Sequence, residues 1–128
     1  MLSKKIALYP GSFDPFHRGH LDIVRRASKI FDEVHILIAN NPNKSHRMFR
    51  DDRMVVAIEN MMVSSDVPEN VSVRTWSKSI ADAAKTYDAH YIVRGVRGAA
   101  DMDYEATVAR GDSLLYGNGY LEHVYLLA

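Results

Sequence analysis

Tyr9-Pro10-Gly11-Ser12-Phe13-Asp14-Pro15-Phe16-His17-Arg18-Gly19-His20 follows an apolar run ending at Leu8 and leads straight into helical spacing. A strand that stops at a Gly/Ser turn and enters a helix near Gly19 presents unpaired main-chain N–H groups. Such a helix start favours bound phosphate. Gly19 would let a ligand approach the backbone closely, and His20, on the first helical turn, can aim its ring at that ligand. The His-x-Gly-His spacing at the mouth of a strand–turn–helix unit reads as a nucleotide-handling site.

Outward from this stretch, short apolar runs alternate with helical periodicity. Ile6–Tyr9 is the first expected strand and Val34–Ala39 the second. Val71–Val73 is a weaker third, His90–Val93 a fourth and His123–Leu127 a fifth. Between them, Val24, Ala27 and Phe31 share one helical face, and Met54, Ile58, Met61 and Met62 another. Ile80, Ala83, Ala84 and Tyr87 share a third, and a fourth helix is expected from Ala99 to about Arg110. This alternation predicts an α/β, Rossmann-like fold: an open parallel five-stranded sheet with helices on both faces, in one domain over residues 1–128. Ligands of such sheets bind beyond the carboxyl ends of the strands. The first motif, the polar loop Asn40–His46 and Arg94-Gly95-Val96-Arg97 would all meet at that rim.

Composition narrows the function. Lys plus Arg equals Asp plus Glu at 16 each, so no overall basic field exists to attract a nucleic-acid backbone. The chain has no cysteine, which excludes disulfides, thiolate metal sites and a cysteine nucleophile. No run approaches the length of a membrane span, and Met1-Leu2-Ser3-Lys4-Lys5 does not open a signal peptide. A cytoplasmic location, away from membranes, is the expectation.

His20 is the sharpest chemical candidate, as a donor to a phosphate oxygen that gains charge during transfer. His17 reads equally as a turn residue. Ser12 can donate to phosphate or simply cap its turn, and Asp14 before Pro15 shapes that turn. Lys44 lies in the polar loop. Arg94 and Arg97 suit phosphate oxygens, or ion pairs with Asp101, Asp103 or Glu105 on the next helix. Glu105 could accept from ribose or adenine, or be an exposed helical glutamate. The chain lacks a zinc-ligand spacing, a P-loop, a Gly-x-Gly-x-x-Gly turn and a nucleophile elbow.

Taken together, Tyr9–Pro15 with Gly19-His20, Asn41-Pro42-Asn43-Lys44 before Met48-Phe49, and Ile92–Arg97 with Asp101–Glu105 resemble the phosphopantetheine adenylyltransferase family. The resemblance implies transfer of an adenylyl group from ATP to 4′-phosphopantetheine, giving dephospho-coenzyme A and pyrophosphate, with Mg2+ on the triphosphate. It implies His20 as the catalytic group, touching ATP. Ser12 would contact both substrates; Phe13, Gly95, Val96, Arg97 and Glu105 would face ATP. Lys44 and Arg94 would hold phosphopantetheine, with Ile80 along its arm. It also implies a homo-oligomer, a hexamer in the family. Alternatives are a non-catalytic nucleotide- or pantetheine-binding relative, or a cytidylyltransferase acting on a small phosphorylated alcohol.

Two departures stand out. Asp112 occupies a place where the family has an asparagine toward pantetheine. The chain stops at Leu126-Leu127-Ala128, where family members continue through a serine-rich segment and terminal helices. The expectation is weak ATP binding and association with itself or a partner through the uncovered sheet face.

Overall fold

The computed structural model describes residues 3–13, 15–39, 51–117 and 121–128. Five strands run β1 (Ile6–Gly11), β2 (Glu33–Ala39), β3 (Val71–Trp76), β4 (Tyr91–Val96) and β5 (Glu122–Leu127). Four helices alternate with them: α1 (Arg18–Ile30), α2 (Asp51–Ser64), α3 (Ile80–Thr86) and α4 (Ala99–Tyr116). The sheet is parallel throughout its pairings, in the order β3-β2-β1-β4-β5. Chain order therefore reverses between β1 and β4, which opens a crevice at their carboxyl ends.

Burial on both faces explains the near-continuous apolar strands. Side chains alternate across the pleat: Ala7 and Tyr9 join one core with Val34, Ile36 and Ile38, whereas Leu8 and Leu37 join the other. Leu21, Ile23, Val24 and Ala27 of α1 cover the first face, with Met54, Ile58 and Met62 of α2. Ala81, Ala83 and Ala84 of α3 cover the second, with Tyr116 of α4. No helix among the described residues is long and apolar enough to cross a membrane.

Several boundaries differ from the sequence expectation; β1, for one, runs two residues further, to Gly11. β3 runs on to Trp76, because its whole length pairs with β2 from Val34↔Val71 to Ala39↔Trp76. A strand at the sheet edge needs less apolar character than its pattern alone suggests. β4 reaches Val96, so Arg94 and Gly95 are strand residues opposite Tyr125 and Leu126, not a turn after the strand. α4 passes through Gly111 and ends six residues later than expected, at Tyr116. Gly117, at φ 69°, supplies the left-handed conformation that stops it, with its N–H bonded to the Ser113 carbonyl.

Candidate active site

The turn after β1 is built around aromatic contacts. Phe13 has φ 47°, a left-handed conformation costly for a bulky side chain. Its ring is buried edge-on to Tyr9 at 5.1 Å, Phe16 at 5.4 Å and His20 at 5.1 Å, and these contacts hold the strained turn. Gly11 is required beneath it, since a Cβ there would stand 2.8 Å from the Phe13 ring.

The start of α1 is capped by its two histidines. The Gly19 N–H donates to His17 Nδ1 at 3.1 Å, and the His17 N–H donates to His20 Nδ1 at 3.1 Å. This is a capping box with imidazoles in place of the usual hydroxyl and carboxylate. It corrects in part the expectation of free N–H groups at this helix start, because the Gly19 N–H is bonded to His17. The need for glycine here also has a cause within the fold. A Cβ on Gly19 would lie 2.9 Å from His17 Cε1, so the residue makes room for the folded-back ring.

The cap decides the chemistry of His20. An Nδ1 that accepts a main-chain hydrogen bond carries no proton, so the neutral ring holds its proton on Nε2 and donates from there. Burial first, then the His17 and Arg97 charges, push its pKa down from 6.5 to about 4. His17 stacks on it at 3.8 Å and Phe16 lies at 5.3 Å, which fixes the plane of the ring. Near neutral pH His20 is an uncharged, pre-aimed donor.

Arg94 is fixed on three sides. Nε lies 3.1 Å from both carboxylate oxygens of Glu105, and Nη2 donates to Oε1 at 2.7 Å. Nη1 donates to the Pro10 carbonyl at 2.8 Å, tying β4 to the end of β1. Glu105 is buried and serves as the arginine's anchor, so of its two sequence readings the exposed helical glutamate is ruled out. Arg97 follows β4, and its main-chain N–H donates to Asp101 Oδ2 at 3.0 Å.

Two cavities adjoin here. The first, about 270 Å³, is lined by Ser12, Phe13, His20, Gly95 and Arg97, with Arg94 and Asp101. The second, about 370 Å³, is lined by Ser12, Ile80, Arg94, Glu105, Asp112 and His123 among others. Pro10, Gly11, Ser12 and Arg94 belong to both walls. The residues read from sequence as an ATP set thus divide: Glu105 lines the second cavity instead of the first, and Val96 is buried and lines neither. Lys44 and Asp14 lie outside the described residues. Sequence reading had Asp101 of the first cavity only as a partner for the arginines, and missed Ile23 of the first cavity and His123 of the second. A histidine inside an apolar strand was the available signal for the last.

The chain matches a family described as cytidylyltransferase-like over residues 8–120. It is 39% identical over 123 residues to a phosphopantetheine adenylyltransferase from Cytophaga hutchinsonii, covering 96% of this chain and 78% of the relative. A protein of the same name from Latilactobacillus sakei is 41% identical over 128 residues, covering 99% and 74%. Among solved structures, a bifunctional NMN adenylyltransferase/ADP ribose pyrophosphatase from Francisella tularensis superposes with a TM-score of 0.69 at 16% identity, over 97% of this chain and 37% of that one. A lipopolysaccharide core biosynthesis protein from Thermoplasma volcanium gives 0.66 at 15%, over 97% of each chain. These two likenesses concern the fold.

Proposed function

The chain belongs to the phosphopantetheine adenylyltransferase family, and on that premise we propose that it transfers the adenylyl group of ATP to the phosphate of 4′-phosphopantetheine. The products are dephospho-coenzyme A and pyrophosphate. One observation carries this reading: two cavities share the wall formed by Pro10, Gly11, Ser12 and Arg94. A group transfer needs donor and acceptor side by side, with the reacting atoms near the common wall. The relatives' names do not favour the cytidylyltransferase or non-catalytic alternatives.

ATP occupies the first cavity and phosphopantetheine the second. An oxygen of the acceptor phosphate attacks the α-phosphorus in line, the new O–P bond forms, and the bond to the pyrophosphate oxygen breaks. A phosphate monoester is already an adequate nucleophile, so positioning and charge stabilisation supply the catalysis. His20 donates its Nε2 proton in a hydrogen bond to an oxygen gaining charge in the transition state. Its neutrality means that the proton stays on the ring. Arg97 faces the triphosphate; Arg94, held rigid by Glu105, orients the acceptor phosphate. Ser12 reaches both substrates, Phe13 and Gly95 flank the nucleotide, and Ile80 lines the pantetheine arm. Lys44 is assigned to the acceptor by its place in the sequence motif.

Mg2+ would accompany ATP on its phosphate oxygens, where it would neutralise charge on the leaving pyrophosphate. The protein works in the cytoplasm as a homo-oligomer, and the reaction has no place for nucleic acid or membrane.

The test is incubation of the purified protein with ATP, Mg2+ and 4′-phosphopantetheine. Dephospho-coenzyme A by mass spectrometry with equimolar pyrophosphate is the expected result, with CTP far poorer. No product, or preference for CTP, overturns the reading.

A further inference from the structure

His123 sits inside β5, followed by Val124-Tyr125-Leu126-Leu127. Its side chain is 5% exposed and that of neighbouring Asp112 18%. Nδ1 lies 3.2 Å from the Leu121 carbonyl oxygen, an atom that can only accept, so this bond needs a proton on Nδ1. Nε2 is buried without a hydrogen-bond partner among the described residues, 3.5 Å from Asp112 Oδ2. A bare ring nitrogen against a carboxylate is repulsive, whereas a protonated one makes an ion pair. Asp112 and His123 both line the second cavity. An uncompensated carboxylate in that wall would oppose an anionic acceptor.

We propose that His123 is a positioning residue for the acceptor: it pairs with Asp112, cancels the carboxylate charge in the second cavity and fixes that side chain toward the bound arm. This rests on the second cavity being the acceptor's side. Other groups nearby do not supply the compensation. Arg94 is taken up by Glu105 at 2.7 Å. Tyr125 stacks on His123 at 6.3 Å and is kept protonated, its pKa raised chiefly by burial. Arg110 and Glu122 line a neighbouring groove with His123 and are exposed.

Kinetics and a measurement independent of turnover test the pair. His123→Ala strands the carboxylate, so KM for 4′-phosphopantetheine rises about tenfold, while kcat and the KM for ATP stay within about twofold. Adding Asp112→Asn removes the charge and returns KM to within about threefold of the parent. If His123→Ala does not fold, His123→Gln takes its place in the same comparison. In calorimetric titrations, which need no turnover, the Kd for 4′-phosphopantetheine follows the same pattern, weakened in His123→Ala and recovered in the double variant. An unchanged KM, no recovery in the double variant, or an unchanged Kd each overturns the proposal. Should the parent make no product, the adenylyltransferase reading fails. The same ratios are then sought in calorimetric binding of 4′-phosphopantetheine, where their absence overturns the pair's role.

Discussion

The main-chain N–H of His17 donates to Nδ1 of His20 across 3.1 Å, so the neutral ring of His20 offers its proton from Nε2. A helix cap and a proposed catalytic donor are therefore one arrangement. Replacing His20 by Ala removes both. The expected loss in kcat is about 10² to 10³-fold, with the KM values changed far less, measured by steady-state kinetics.

The depressed pKa of His20 makes a pH prediction. The folded value of about 4 lies below the ordinary 6.5, so the unfolded chain binds more protons between them. The contribution of this ring to stability is present above 6.5, shrinks as pH falls, and is lost toward 4. Thermal unfolding of the parent should weaken through that window more steeply than that of His20→Gln. The kcat profile should lack an inflection from this residue near 6.5, because the donor remains neutral there.

Gly19→Ala tests the cap. Its Cβ would meet His17 Cε1 at 2.9 Å, and the ring can move away only by giving up the bond to the residue 19 N–H. Chemical denaturation should show a loss of about 1 kcal/mol, the worth of an N-cap. kcat should fall as well, since the stack that orients His20 is displaced.

Glu105→Ala leaves the Arg94 guanidinium without its bidentate partner in a half-buried setting. A destabilisation of about 3 kcal/mol is expected from denaturant melts, with a raised KM for 4′-phosphopantetheine. Glu105→Gln, which keeps an acceptor, should recover part of both.

Gly111→Ala should stabilise. The residue is exposed within α4, and an added Cβ has nothing within 4 Å. Removing the flexibility of glycine from a helix interior should add about 0.5–1 kcal/mol, read as a higher denaturant midpoint at unchanged slope.

Gly111 also shows where reading the sequence stops. Glycine weakens helical propensity locally, and the expected helix ended at Arg110; α4 continues because its far end is anchored by Tyr116, buried against the second core. Arg94 was legible as an anion-binding candidate, yet its place inside β4 was not. Strand pairing with β5 extends beyond the apolar run that marks it. Glu105 showed its carboxylate but not its burial, which depends on α4 passing over the end of β4.

The sequence by itself determined the alternation of elements, the two-faced sheet and the rim at which chemically loaded segments meet, because period and turn residues are local properties. Tertiary structure alone decided which nitrogen of His20 carries the proton, which cavity holds Glu105, and that His123 faces Asp112. Each of these depends on burial and on hydrogen bonds between atoms brought together by chain folding. A linear pattern names such groups but cannot orient them.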